Sequence, residues 1–249
     1  MERAEKSRAK CRVFAKVNLS LNISGVRGGY HLIDSVVASV DVCDEVSAVP
    51  RQDGLVNVYM RGMGSESIPP ERNNAVRAGE LFVNALGTCG ADIEIRKNIP
   101  MGAGLGGSSA DAAGVLNALA RLYGAEKEEL YPLADACGSD TRYMLTGGFA
   151  RLTGRGERVQ QLPSPRTFPM LLLVPEGTVS AGACYGEYDR SPDPLRADSA
   201  RLAAALARGD FAGVCANVYN ALGAPACALC EGTAEALAHA PAPYPAGIR

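Results

Sequence analysis

Pro100-Met101-Gly102-Ala103-Gly104-Leu105-Gly106-Gly107-Ser108-Ser109-Ala110-Asp111-Ala112-Ala113 is the stretch on which the fold turns. Its glycines let the backbone take positive φ and approach a ligand closely. The Ala- and Leu-rich segment that follows, Ala110 to Tyr123, has the spacing of a helix closed by Gly124. Successive backbone N–H groups and a helix N-terminus then converge on one point, where the helix dipole favours an anion. Ser108 and Ser109 add hydroxyls, and a hydroxyl oxygen also suits magnesium. The Gly-Lys-Ser/Thr of a Walker loop is absent, and the glycine spacing departs from G-x-G-x-x-G with no dinucleotide-binding βαβ unit around it. The stretch therefore reads as a phosphate-cradling nucleotide loop, not as a surface turn.

Upstream, residues 12–24 alternate, with Val13, Ala15, Val17, Leu19, Leu21 and Ile23 on one face and Lys16, Asn18, Ser20 and Asn22 on the other. That is the period of a half-buried strand. Gly25 to Gly29 reads as a turn, Val36 to Val49 as a strand pair or one long strand, Val56 to Met60 and Ala91 to Arg96 as strands, and Asn74 to Leu86 as a helix stopped by Gly87. Downstream, Lys127 to Ala136 reads as a helix, Gly147 to Thr153 as a strand and Gly154-Arg155-Gly156 as a turn. Three prolines in 163–169 mark a domain boundary; beyond it Met170 to Val174 reads as a strand, and Ser199 to Arg208 and Phe211 to Leu222 as helices. A helix is expected around Glu231 to His239, and the Pro/Ala-rich stretch that ends 232–249 gives no complete element. This mixed order fits an α+β fold better than a doubly wound sheet.

The 249 residues suffice for one large domain or two small ones, and the composition (47% hydrophobic, 21% charged, net charge −2) is that of a globular protein. So even a charge balance leaves no electrostatic footprint for nucleic acid or an anionic membrane. No apolar run approaches the roughly 20 residues of a membrane helix, and the charged N-terminus is not followed by the apolar core of a signal peptide. A cytoplasmic protein is expected. Its eight cysteines are then reduced thiols, and Cys227-x-x-Cys230 lacks the further ligands of a zinc site, since His31 and His239 are the only histidines.

The motif Pro100-x-x-x-Gly104-Leu105-Gly106-x-Ser108-Ser109 resembles the phosphate-loop signature of the GHMP kinases. Ala15-Lys16-Val17-Asn18-Leu19-Ser20-Leu21 is similar to the opening strand, and Gly29-Tyr30-His31-Leu32 to the Gly-Tyr-His motif, of the branch that phosphorylates 4-diphosphocytidyl-2-C-methyl-D-erythritol. Gly138-Ser139-Asp140, Gly147-Gly148-x-Ala150 and Gly154-x-Gly156-Glu157 match that branch in order and spacing, so the resemblance runs from about Phe14 to about Leu222. It implies a ribosomal protein S5 domain 2-like N-terminal domain over 1–162 and a ferredoxin-like C-terminal domain over 163–249. It also implies ATP and Mg2+ as cofactors and phosphorylation of the substrate's 2-hydroxyl in the non-mevalonate route to terpenoids.

The resemblance assigns catalysis to Lys16 and Asp140. Asp140 would accept the hydroxyl proton, and Lys16 would steady the developing charge. The loop from Pro100 to Ala110, with Lys97 ahead of it, would hold the nucleotide. Tyr30 and His31 would hold the cytosine, whose face suits aromatic stacking. Asn18, on the strand face of Lys16, would contact the substrate. Arg142 and Tyr143 stand where the family has Pro and Phe, and the family's C-terminal Gly-rich third motif has no counterpart, so the second domain is expected to be truncated. The alternatives are another GHMP activity of the homoserine or mevalonate type, against which the Gly-Tyr-His motif argues, and an inactive nucleotide-binding remnant.

Overall fold

The computed structural model describes residues 8–63, 69, 73–193 and 196–239. Two long strands dominate it, β1 (Ala9–Arg27) and β2 (Tyr30–Pro50), joined by Gly28-Gly29 with φ of 59° and 78°. Both turn residues are left-handed, the condition that makes glycine the residue of choice in a two-residue hairpin. Contacts divide the chain into two compact units, and each takes part of these two strands.

Unit 1 comprises Met1–Ala15, Asp41–Met101 and Gly106–Thr146. Its strands run in the order β3 (Val56–Gly62), β4 (Ala91–Lys97), β2, β1. β3 lies parallel to β4, and β4 pairs antiparallel with Glu45–Pro50 of β2. Strand periodicity places Val13 and Ala15, Val46 and Ala48, and Ile93 and Ile95 in the core. Two helices, α1 (Asn74–Leu86) and α2 (Gly107–Tyr123), pack there, followed by α3 (Lys127–Cys137) and α4 (Thr141–Met144). α1 is capped by Asn73, whose side chain accepts the Ala75 N–H, and closed by left-handed Gly87.

Unit 2 comprises Lys16–Val40, Gly102–Leu105 and Gly147–Arg249. β5 (Phe149–Gly154) runs antiparallel to Ile33–Ala38 of β2 and to β6 (Arg158–Gln161), and the two-residue β7 (Tyr219–Asn220) lies parallel to β1 at Ser20 and Leu21. The helices are α5 (Ala181–Arg190), α6 (Ser199–Arg208), α7 (Phe211–Ala216), α8 (Gly223–Leu229) and α9 (Glu231–Ala238). Leu202, Ala205 and Leu206, on the apolar stripe of α6, close a core with Leu19, Val36, Ala38 and Val214.

The expected helices over 74–86 and 199–208 stand where the spacing places them. Val36 to Val49 lies within a single strand, β2, and α2 begins three residues before Ala110, at Gly107. Met170 to Val174 is not a strand: these residues pair with no neighbour among those described, and a strand without a ladder leaves its backbone groups unsatisfied. Nor is Phe211 to Leu222 one helix. α7 ends at Ala216, and Tyr219–Asn220 instead extends the sheet, fixed by Ala221 N–H donating to Leu21 O at 2.9 Å. In the stretch 232–249 a helix, α9, extends to Ala238, and residues 240–249 lie outside the described residues. The eight cysteines are free thiols. No described helix is long and apolar enough to cross a membrane.

At Gly114, α2 packs tightly against the sheet. A Cβ there would stand 2.6 Å from Val46 Cγ2 and 3.0 Å from Val13 Cγ1. Alanine is the better helix former by about 1 kcal/mol, but overpacking a filled core costs about 1–3 kcal/mol. Gly114→Ala should therefore lower the unfolding free energy, read as a reduced urea midpoint at unchanged m-value. A raised midpoint would show that the sheet yields.

Candidate active site

The glycine loop has the backbone conformation that its composition implies. Gly102, Gly104 and Gly106 take φ of 68°, 71° and 75°, while no described residue other than glycine has positive φ. Left-handed glycines alternating with residues of negative φ are the backbone pattern from which anion-binding loops are built.

In unit 1 the loop's exit is the first turn of α2. Ser108 Oγ accepts the Asn74 Nδ2 donor from the start of α1 at 2.8 Å. A Cβ on Gly138 would lie 3.2 Å from Ser109 Oγ, so the Gly138-Ser139-Asp140 turn passes directly over the second loop serine. Asp140 occupies the N-cap position of α4, yet its carboxylate makes no capping hydrogen bond. Beyond it, Tyr143 is fully buried, and Arg142 is held by Asp135 at 2.6 Å and by the Tyr131 ring at 4.4 Å. The departures from Pro and Phe at these positions are therefore absorbed within α3 and α4.

Beneath the loop lies a buried cluster of three charges. Lys97 Nζ pairs with Asp44 Oδ2 and, at 2.7 Å, with Asp111 Oδ2. Asp44 Oδ1 also accepts the backbone N–H of Asn98 at 2.6 Å and of Ile99 at 2.8 Å. Lys97, read from sequence as a nucleotide contact, is thus 2% exposed, and its ammonium is engaged by two carboxylates. The motif reading missed Asp44 and Asp111 as partners. The available signal was phase: Asp44 falls in the alternation of Val46 and Ala48, and Lys97 in that of Ile93 and Ile95, so both charges lie on the core face of their strands.

In unit 2 the polar face of β1 is a hydrogen-bonded interior, not a solvent face as the half-buried reading of the strand required. Lys16 is 8% exposed and donates to Asn18 Oδ1 at 2.7 Å. Asn18 Nδ2 donates to Ser35 Oγ at 2.8 Å, and Ser35 Oγ donates to Ser20 O at 2.5 Å. Asn22 binds Ala197 through both ends of its amide. The Lys16 N–H donates to Leu105 O at 3.0 Å, so the central stretch of the glycine loop is tied to the lysine strand.

Tyr30 and His31 open β2 and, being consecutive in a strand, project to opposite faces. Tyr30 is 58% exposed, with the Arg155 guanidinium 4.8 Å from its ring centre. It lines a cavity of about 600 Å³ with Arg27, Asp34, Arg151, Arg155 and Arg158, in which Asp34 pairs bidentately with Arg151. His31 stacks on Tyr185 at 4.5 Å and 15°, and its Nε2 lies 2.8 Å from Asp189 Oδ1. Tyr185 and Asp189 lie on α5, a helix that the sequence reading did not anticipate.

Burial pushes the Asp111 carboxyl up to about 7, against the pull of the Lys97 ammonium beside it. The native state therefore holds this proton more tightly than the unfolded chain, whose carboxyl has its ordinary value of 3.8. The contribution to stability is complete below about pH 4 and is lost as pH rises through about 7. From pH 5 to pH 8 wild type should lose on the order of 1–3 kcal/mol relative to Asp111→Asn, measured by urea unfolding at each pH. Parallel pH profiles for the two proteins would refute it.

Comparison with known proteins agrees with this geometry. Residues 73–150 match the family model described as GHMP kinases N terminal domain. A 4-diphosphocytidyl-2-C-methyl-D-erythritol kinase of Streptomyces avermitilis is 35% identical over 235 residues, covering 91% of this chain and 78% of that protein. One of the same name from Symbiobacterium thermophilum is 40% identical over 210 residues, covering 80% and 72%. Among solved structures, a 4-(cytidine 5'-diphospho)-2C-methyl-D-erythritol kinase superposes with a TM-score of 0.68 at 32% identity, over 88% of this chain and 78% of that one. A homoserine kinase from Cytophaga hutchinsonii superposes at 0.67 over 94% and 79%, with only 20% identity, which speaks to the fold alone. The chain therefore belongs to the GHMP kinases and, within them, to the 4-diphosphocytidyl-2-C-methyl-D-erythritol kinase family.

Proposed function

We propose that this protein transfers the γ-phosphoryl group of ATP to the 2-hydroxyl of 4-diphosphocytidyl-2-C-methyl-D-erythritol, a step of terpenoid precursor synthesis by the non-mevalonate route. The single observation that carries the reading is the alternation of left-handed glycines running into α2, in a chain of this family. Backbone N–H groups held in that way stabilise phosphate charge without reorganising during the reaction. The nucleotide group is Pro100 to Ala110 with Lys97. Asp140, at the N-cap position of α4, takes the proton of the attacking hydroxyl. Lys16, oriented by Asn18, steadies the charge that develops.

The substrate's diphosphate and cytosine fit the surroundings of Tyr30 and His31. Three arginines that make no bidentate pair, Arg27, Arg155 and Arg158, line the Tyr30 cavity and suit an anionic ester. Among the described residues no three His, Cys, Asp or Glu side chains surround one point. Magnesium accordingly fits as an ion carried by the triphosphate, needing only one or two protein oxygens. A hydroxyl of Ser108 or Ser109 would supply such an oxygen, and the ion would neutralise phosphate charge there. The division of the chain at 162/163 into an N-terminal ATP-binding domain and a C-terminal GHMP kinase domain, and a cytoplasmic location, belong to the same reading.

The test is ADP release by the purified protein with ATP, magnesium and that alcohol. Lys16→Ala and Asp140→Asn should each lower kcat on the order of 100-fold or more, with ATP affinity by calorimetry little changed. Turnover undiminished in either variant removes the assigned role, and wild-type turnover of homoserine or mevalonate in place of the cytidine substrate overturns the reading.

A further inference from the structure

We propose that Asp44 is a positioning residue for the nucleotide loop, and that Lys97 serves the nucleotide solely as the centre of an Asp44–Lys97–Asp111 lock. The inference rests on the kinase reading above. Its ground is where the three side chains attach. Asp44 Oδ1 takes the N–H groups of Asn98 and Ile99, the two residues immediately ahead of Pro100. Asp44 Oδ2 takes Lys97 Nζ, and the same ammonium donates to Asp111 Oδ2 at the start of the second turn of α2. One carboxylate on β2 therefore fixes the entry of the loop directly and its exit through two further side chains.

The burial of the lock separates this role from phosphate contact. The side chains of Lys97, Asp44 and Asp111 are 1%, 0% and 4% exposed. To reach a phosphate oxygen, Lys97 would have to abandon two buried carboxylates, and an uncompensated buried charge is among the most destabilising arrangements in a protein. The loop is also built over the ammonium in its present place: Lys97 Nζ lies 3.5 Å from the position that a Cβ on Gly107 would occupy, and Ile99 Cγ2 lies 3.3 Å from it. The first residue of α2 thus rests on the lock, and its N–H is aimed before any nucleotide arrives. Preorganisation of this kind appears in ligand affinity because the ordering cost is met on folding.

Asp44→Asn keeps the size and one acceptor oxygen but turns an NH2 group or a weaker acceptor toward the ammonium. The experiment measures ADP release at varied ATP and at varied cytidine substrate, with calorimetric titration of ATP and magnesium, for wild type, Asp44→Asn, Lys97→Met and the double variant. The lock predicts a KM for ATP raised on the order of tenfold or more in each single variant. KM for the alcohol stays within about twofold, a split that general loosening of the fold would not produce. The double variant should be no worse than the poorer single, because residues acting as one unit are non-additive. Wild-type ATP affinity in Asp44→Asn, or a double variant showing the product of the two single effects, overturns the lock alone. A wild type that binds no ATP overturns the kinase reading and the lock with it. Should Asp44→Asn fail to fold, Asp111→Asn at the exit end carries the test with the same expected split.

Discussion

An ammonium taken out of water and shared between two carboxylates is tolerated only when its partners are close and their remaining lone pairs are satisfied. In unit 1 Asp44 meets that condition in full and Asp111 in part, and the cluster they form with Lys97 fixes much else. Asp44 must lie where β2 faces the core, Lys97 must end β4 on the same face, and α2 must begin with a residue small enough to rest on the ammonium. The entry and exit of the glycine loop are tied to the one cluster as a result. Asp111 is its least balanced member: one carboxylate oxygen has no partner among the described residues, and its proton is held to about pH 7.

Unit 2 buries a second lysine. Lys16 is nearly as buried as Lys97, and its ammonium donates to the Asn18 amide oxygen. Asn18 donates in turn to Ser35, and Ser35 to the Ser20 carbonyl, so a chain of neutral groups along β1 and β2 helps to orient the ammonium. A charge oriented before the reaction begins is what the electrostatic role proposed for Lys16 requires.

Much of this was legible from residue order. The alternation of β1, the helix over 74–86 and the glycine run all appear as read, because each follows from a local period or from the backbone freedom of glycine. Met170 to Val174 misled because an apolar, β-prone run is necessary for a strand but not sufficient; a strand exists only with a partner to complete its ladder. Phe211 to Leu222 failed for the converse reason, since Tyr219 and Asn220 found a partner in β1 and left the helix. Lys16, Asn18, Tyr30, His31 and Asp140 stand out in the sequence by motif, whereas Ser35, Asp44, Tyr185 and Asp189 carry no motif of their own and are recognised only by what they touch within their own unit.

The sequence by itself determined the kind of protein: an α+β kinase of the GHMP type with a glycine loop opening a helix, since glycine φ freedom, helix spacing and strand alternation are properties of neighbouring residues. Only the tertiary structure decided what each charge does. Whether Lys97 faces a phosphate or two carboxylates depends on residues 53 and 14 positions away along the chain. Burial then turns those pairings into constraints, because a charge that has left water must keep its partners.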